Sequence, residues 1–463
     1  MNSILKPYPD YQESGLLWLG AIPRNWSVRR LKWLVRNVAE QTDTKRADEI
    51  YVALDQVESW TGRILPPHDN DGFTSLVKRF EPNDLLFGKL RPYLAKVARP
   101  SRRGVCVGEF LVLRRASEAM SAEFLELLMR SFPFVHEVNS YTSGAKMPRV
   151  EWTRLGGIEI PCPTVQEQVD IVRFLSNAGA RNSRLVRAKI RLIELLNDQR
   201  QTIIGMVVTR GLDSSAQVKP SGVRWLGDVP EHWDVCRAKY LFREVDERSN
   251  SGEEELLSVS HITGVTPRSQ KSVTMFMASS YVGHKVCRAG DLVINTMWAW
   301  MGALGVSKQT GIVSPSYAVY RSIRTDVALP EFMDHLLRTQ PYVAEYACRS
   351  TGIRSSRLRL YPERFLEIPI VVPSLQEQRE LVATIDRATL QINQAIESVR
   401  RQIDLLREYH NRLVADVVTG QLDVRGLEVF GIEAANIPKE AETPEDILGD
   451  ETIDAAGTPD ADD

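Results

Sequence analysis

A segment of about two hundred residues occurs twice in this chain, so any fold it adopts must be built from two copies of one plan. Ser14-Gly15-Leu16-Leu17-Trp18-Leu19-Gly20-Ala21-Ile22-Pro23 returns as Ser221-Gly222-Val223-Arg224-Trp225-Leu226-Gly227-Asp228-Val229-Pro230, and Trp26 returns as Trp233, an offset of 207. The same offset matches Asp84-Leu85-Leu86 to Asp291-Leu292-Val293, Gly104-Val105 to Gly311-Ile312, and Phe110 and Val112 to Tyr317 and Val319. It drifts to 208 where Glu123-Phe124, Pro133 and Gly144 match Glu331-Phe332, Pro341 and Gly352. It reaches 210 where Gln166-Glu167-Gln168 matches Gln376-Glu377-Gln378, Val207-Val208-Thr209 matches Val417-Val418-Thr419, and Leu212-Asp213 matches Leu422-Asp423. Slow drift without loss of order is what duplication followed by small loop insertions produces.

Each copy has two parts. The first is a mixed region in which Leu111 to Leu113 and Ser316 to Arg321 alternate like strands, while Met120 to Met129 and Glu331 to Leu337 carry a helical period. This predicts an α+β globular domain. The second part is a long helix. Thr164-Val165-Gln166-Glu167 and Ser374-Leu375-Gln376-Glu377 fit a capping box, each preceded by a proline (Pro163, Pro373), and Gly211 and Gly420 are fitting stops. The expected layout is a globular domain over 1–163, a helix over 164–211, a second globular domain over 212–373, a second helix over 374–420, and a C-terminal segment over 421–463.

In the second helix the apolar positions step by three and four through Val382, Ile385, Ile392, Ile396, Val399, Ile403, Leu406, Leu413 and Val417, with Thr389 and His410 in two polar slots. The equivalent row of the first helix is Leu175, Gly179, Asn182, Val186, Lys189, Ile193, Leu196, Arg200, Ile203 and Val207. Such stripes must be buried. An antiparallel coiled coil in which each helix buries the other is the simplest solution, and homodimerisation through the seam is the rival. Gln166 to Val207 spans roughly 60 Å at 1.5 Å per residue, against about 34 Å for one turn of B-DNA. Such a rod could therefore act as a spacer between two readers.

The formal charge of −2 hides an asymmetry. Between Glu433 and Asp463 stand eleven acidic residues and one lysine, Lys439, so the rest of the chain carries +8. A basic body is compatible with a polyanionic partner, and the acidic, proline-bearing tail is expected to be disordered. No apolar run is long enough for a membrane span, and Met1 to Trp18 is not expected to be a signal peptide. The five cysteines (Cys106, Cys162, Cys236, Cys287, Cys348) form no Cys-x-x-Cys motif, which suits a reduced, cytoplasmic chain.

Candidate DNA contacts follow from cations interleaved with aromatic residues. In the first domain these are Lys89, Arg91, Tyr93 and Lys96, followed by Arg99, Arg102 and Arg103. Lys146 and Arg149 lie in the loop Ser143-Gly144-Ala145-Lys146-Met147-Pro148-Arg149. Arginine and lysine reach guanine edges or neutralise phosphates; a solvated loop is the bland alternative. In the second domain Thr296 aligns with Lys89 and Trp298 with Arg91. Trp298 and Trp300 are of a type found in cores more often than against bases. Lys308 is a further candidate. A second basic loop bears Arg349, Arg354, Arg357 and Arg359, where glycine and hydroxyls accompany four arginines, and it is the foremost local candidate for phosphate contact. The frame repeats while its presumed tips differ, which predicts an asymmetric two-part site.

The doubled Trp-Leu-Gly-x-x-Pro-x-x-Trp opening, the proline-then-Gln-Glu-Gln helix start and the Val-Val-Thr helix end together resemble the specificity subunits of type I restriction–modification systems over about residues 14–425. The run from Gly290 to Asn295 through Trp298-Ala299-Trp300 to Gly311-Ile312-Val313-Ser314-Pro315 looks like a common variant of that family's target-recognition domain. The resemblance implies two target-recognition domains, each reading half of a bipartite double-stranded DNA site. It also implies two helical regions that dock two modification subunits. Adenine methylation with S-adenosylmethionine, and cleavage with ATP and magnesium, would then belong to modification and restriction subunits, with no catalytic residue, metal or cofactor in this chain. The acidic tail departs from the family pattern. The sequence carries no Walker A loop, no His-Glu-x-x-His, no paired-cysteine cluster and no Asn-Pro-Pro run. Asp84 and Asp291 recur as a pair but read as turn residues. The competing readings are a stand-alone nuclease or methylase, a coiled-coil DNA-binding scaffold without sequence preference, and the specificity module of an orphan methyltransferase.

Overall fold

The structure, a computed structural model, describes residues 5–66, 75–144, 146–213, 215–270, 280–352 and 358–427. The acidic tail, Arg354 and Arg357 lie outside the described residues. The chain divides into two compact units, Met1–Arg187 with Arg401–Ile437, and Ala188–Arg400 with Pro438–Asp463. The long helices run Val165–Arg210 and Leu375–Val418. Each therefore gives one part of its length to one unit and the rest to the other.

In the first unit an antiparallel sheet has the strand order Val35–Val38, Phe110–Arg115, Leu85–Gly88, Val97–Ala98. Side chains alternate across it with the period of a strand. Leu85, Phe87, Leu111 and Leu113 join the core beneath the helices Ala122–Arg130 and Phe132–Ser140. Leu86, Phe110 and Val112 face the other way, against Val52, Phe80 and Cys106 of a second four-stranded sheet. The second unit repeats the arrangement. Its sheet has the order Phe242–Val245, Ala318–Ser322, Leu292–Ile294, Leu304–Val306. Leu292, Ile294, Ala318 and Tyr320 face the helices Pro330–Leu337 and Gln340–Arg349, while Val293, Tyr317 and Val319 face a smaller core with Leu257, Val259 and Val313. The predicted α+β class and both pairs of predicted elements are present.

The doubled sequence motifs have one structural explanation each. Glu167 N donates to Thr164 Oγ1 at 3.3 Å, and Glu377 N to Ser374 Oγ at 3.3 Å, so both hydroxyl N-caps form. The capping-box carboxylates have a different task. Glu167 accepts from Trp26 Nε1 (3.3 Å) and Asn25 Nδ2 (2.7 Å), and Glu377 accepts from Trp233 Nε1 (3.0 Å) and lies 3.0 Å from His232 Nε2. The glutamine that follows is fully buried in both copies. Gln168 Nε2 donates to Ala119 O (2.7 Å) and Pro163 O (3.0 Å), and its Oε1 accepts from Ser121 N (2.7 Å). Gln378 makes the matching bonds to Val327 O, Pro373 O and Leu329 N at 2.7, 2.8 and 2.8 Å. The Gln-Glu-Gln signature thus ties the helix start to Trp26 or Trp233 and to the loop before the first α-helix of the domain.

Within each unit the start of one long helix packs with the end of the other. Ile171 and Leu175 share a core with Leu413, Val417 and Val418 in the first unit, and Ile204 and Val208 share one with Leu381 and Ile385 in the second. That is the antiparallel sense. The seam of the second helix is buried largely as predicted, at Ile385, Ile392, Ile396, Val399, Ile403, Leu413 and Val417. The first helix differs by one residue at three places: Ile190, Ile204 and Val208 are buried where the predicted row has Lys189, Ile203 and Val207. A straight helix drifts relative to a seven-residue repeat, so the row slides to the neighbouring isoleucines and valine. Both helices end on left-handed glycines, Gly211 (φ +75°) and Gly420 (φ +80°). A Cβ on Gly420 would stand 2.4 Å from Pro23 Cδ, so the close approach of this turn to the Trp26 region also demands glycine.

His410, one of the polar seam positions, lies beside Gly179 of the other long helix. A methyl at Gly179 would lie 3.4 Å from His410 Cε1. Burial, and secondarily the nearby Arg130 cation, push the imidazole below its ordinary value of 6.5. A base whose folded-state value is depressed binds fewer protons folded than unfolded, so stability falls as pH drops through 6.5. His284 and His335 are depressed by burial too and act with the same sign. Urea midpoints between pH 7.5 and 5.5 are therefore expected to decline less steeply for His410→Gln than for the parent chain. Parallel declines would show that His410 does not contribute.

Candidate nucleic-acid interface

The candidate contacts of the first unit separate into two groups, because an antiparallel hairpin sends residues adjacent in sequence to its opposite ends. Leu85–Gly88 pairs with Val97–Ala98, so residues 89–96 form the turn at one end. Arg99, Arg102 and Arg103 follow the return strand to the other end, where Asn83 N donates to Pro100 O at 3.0 Å. There Arg99 is bound by Glu126 (3.0 Å), Glu123 (3.2 Å) and Asn83 (2.7 Å), and Arg103 meets Asp48 at 3.5 Å. Arg102 is exposed.

Residues 143–149 join the first end. Arg91 N donates to Pro148 O at 2.7 Å, Val150 N donates to Lys89 O at 3.0 Å, and Leu90 bridges Arg149. Ser143 and Arg149 exchange backbone bonds of 3.0 and 2.9 Å, closing the second loop. Lys89, Arg91, Tyr93, Lys146 and Arg149 are thereby gathered on one tip, and Arg91, Tyr93, Lys146 and Arg149 are exposed. Among the described residues none of the four cations Lys89, Arg91, Lys146 and Arg149 has a carboxylate within salt-bridge distance. Lys96 faces inward, its Nζ donating to Leu54 O at 2.8 Å, and burial lowers its pKa. Lys78, from a neighbouring strand, donates to Gly108 O and Phe110 O at 3.1 and 2.7 Å. Burial, and then the Lys89 cation of the tip, lower its pKa.

The second unit builds the same tip with other side chains. Leu292–Ile294 pairs with Leu304–Val306, and residues 295–303 form the turn. Leu360 N donates to Thr296 O at 2.9 Å, and Thr351 and Arg359 exchange bonds of 3.0 and 2.9 Å, reproducing the Val150–Lys89 and Ser143–Arg149 pairs. Thr296 is buried, with Oγ1 donating to Ser316 O at 2.9 Å. Trp298 and Trp300 stack with centroids 5.7 Å apart and rings 23° from parallel. Both are half-buried and belong to neither core of the unit, because the turn carries them past the end of the sheet. Arg359 is half-buried beside the tip, whereas Arg349 is held by Glu345 at 2.5 Å. Lys308 is exposed at the other end of the ribbon, where Gly290 N donates to Ser307 O at 2.8 Å.

Asp84 and Asp291 do serve turns, accepting from Glu81 N and Arg288 N at 2.8 Å each. Each is also the buried half of a bidentate ion pair, with Arg114 (2.8 and 2.6 Å) and Arg321 (2.9 and 2.8 Å). The pair braces the end of the ribbon away from the tip. Arg114 and Arg321 are themselves 207 apart, so the duplication carried the signal for both partners. Among the described residues there is no group of side chains suited to hold a metal ion, and no helix is long and apolar enough to cross a membrane.

No protein-family model matches the chain. It is 26% identical over 190 residues to the type I restriction enzyme EcoDI specificity subunit of Escherichia coli, a match covering 40% of this chain and 42% of that protein. It is 20% identical over 433 residues to the type I restriction enzyme MjaVIII specificity subunit of Methanocaldococcus jannaschii, covering 88% of this chain and 95% of the relative. Among solved structures, a chain from a study of assembly and conformational transition of the type I R-M system shares the fold. It has a TM-score of 0.58 and 19% identity, over 86% of this chain and 98% of the other.

Proposed function

We propose that this chain is a specificity subunit of a type I restriction enzyme, like the relatives it resembles, and that its two tips each read one half of a bipartite, asymmetric DNA site. One observation carries the reading: the same backbone bonds join ribbon turn and companion loop in both units, yet the side chains they present differ. A duplicated frame with unlike tips suits two unlike half-sites. The chain's own part is recognition. Transfer of a methyl group from S-adenosylmethionine to adenine falls to two modification subunits docked on the long helices, which also set the distance between half-sites. ATP- and magnesium-dependent cleavage falls to restriction subunits. The assembly works in the cytoplasm. Phosphate contacts from Lys89, Lys146, Arg149 and Arg359 position the duplex, and base contacts from the turns specify it.

Exchange of residues 1–163 for those of a homologue with another specificity tests this. Modified-base sequencing of a host carrying the hybrid with its modification subunit is expected to show one half of the modified motif replaced and the other retained. An unchanged motif, or the loss of any two-part motif while the complex still assembles, would overturn the proposal.

A further inference from the structure

The two tips differ in chemistry at the aligned positions 91 and 298, which are Arg in one unit and Trp in the other. The tip is a two-stranded ribbon, a shape the major groove of B-DNA admits. In the first unit Arg91 stands at its turn with φ +48°, in the left-handed region. Left-handed backbone is unfavourable for such a side chain, and strain of this kind gathers at binding sites. The Arg91 N–H is fixed on Pro148 O, while the exposed guanidinium meets no carboxylate among the described residues. A planar guanidinium matches the O6 and N7 acceptors of guanine.

In the second unit the hydrogen-bonding capacity of the turn is turned inward. Thr296 Oγ1 donates to Ser316 O, and Trp300 Nε1 donates to Met297 O at 2.9 Å. The stacked indoles of Trp298 and Trp300 are left to offer mainly hydrocarbon. The apolar feature of the major groove is the thymine 5-methyl group. We propose that the two ribbons read opposite kinds of base edge: Arg91 a guanine in one half-site, and the Trp298–Trp300 stack a thymine methyl in the other.

This inference rests on the proposed function, and single-atom changes in the DNA separate the two. Once modified-base sequencing has given the motif, binding is measured for the full chain with its modification subunits. Each guanine of the first unit's half is replaced in turn by 7-deazaguanine, and each thymine of the second unit's half by uracil. One guanine is expected to lose about tenfold in affinity on removal of N7. The loss should vanish in Arg91→Asn, since asparagine tolerates left-handed backbone. One thymine is expected to lose about fourfold on loss of its methyl, and Trp298→Ala should be indifferent to that change. Tolerance of every 7-deazaguanine or of every uracil by the parent chain overturns the inference, as does persistence of either penalty in its variant. The scans on the parent chain do not depend on a variant folding. Absence of any two-part modified motif would instead refute the proposed function.

Discussion

Trp26→Ala is expected to destabilise the first unit by about 3–5 kcal/mol, the range for emptying a fully buried tryptophan site. Trp26 is 2% exposed, meets Tyr8 edge-to-face at 5.9 Å, and lies against the left-handed turn at Gly420. Its Nε1 is one of the donors on the Glu167 carboxylate, which is nearly buried. Trp26→Phe keeps most of the volume and removes the donor. It should cost about 1–2 kcal/mol, because Asn25 and Thr164 still serve the carboxylate. Trp33 is 61% exposed, so Trp33→Ala should fall within about 0.5 kcal/mol of the parent chain. Urea unfolding followed by far-ultraviolet circular dichroism measures all three. A Trp26→Ala penalty no larger than that of Trp33→Ala would mean that the repeat's tryptophan does not anchor the unit.

The features legible in the sequence are those that the duplication states twice or that depend on nearest neighbours. The hydroxyl N-caps at Thr164 and Ser374 and the glycine stops at Gly211 and Gly420 depend on residues a few positions apart, and each stands in the structure as read. The long seam of the second helix was legible because its apolar steps are unbroken. The row of the first helix stands one residue further on at Ile190, Ile204 and Val208, because a straight helix drifts against a seven-residue repeat and, at the last two places, adjacent apolar residues offer two equivalent rows. Side-chain pairs across strands were hidden by separation. Asp84 reads locally as a turn residue, and only the pairing of Leu113 with Leu85 brings Arg114 beside it. The tip was half legible. Lys89 and Arg91 lie together in sequence, but their union with Lys146 and Arg149 comes from bonds across some sixty residues. Proximity in sequence was a poor guide for Arg102 and Arg103, which the hairpin returns to the far end. A basic run cannot reveal which of its members a carboxylate already occupies, as Glu126 does for Arg99 and Glu345 for Arg349.

Gln168→Glu is expected to cost about 3–5 kcal/mol at neutral pH, because a single-atom change reverses the sense of buried hydrogen bonds. The Gln168 amide donates to two carbonyls, Ala119 O and Pro163 O, and its carbonyl accepts from Ser121 N. Ser121 in turn caps the helix Ala122–Arg130 through Phe124 N, so the amide couples the start of the long helix to the start of a domain helix. A carboxylate at this fully buried site would keep the bond from Ser121 and turn its other oxygen, now an acceptor, toward two carbonyl oxygens. Protonation restores one donor. The substituted carboxyl must therefore titrate above the ordinary glutamate value of about 4.3 in the folded state. A folded-state value that is raised means more protons bound when folded, so this stability is present below about pH 4.3 and is lost as pH rises through the folded value. The deficit of Gln168→Glu relative to the parent chain should accordingly shrink between pH 7 and pH 5. Gln168→Leu leaves Ala119 O, Pro163 O and Ser121 N all without this partner but carries no titratable group, so its deficit should not shrink with that of the glutamate variant. Equal pH profiles for the two variants would show that the amide acts through its shape alone. A common deficit below about 1 kcal/mol would show that the doubled glutamine is not what joins helix to domain.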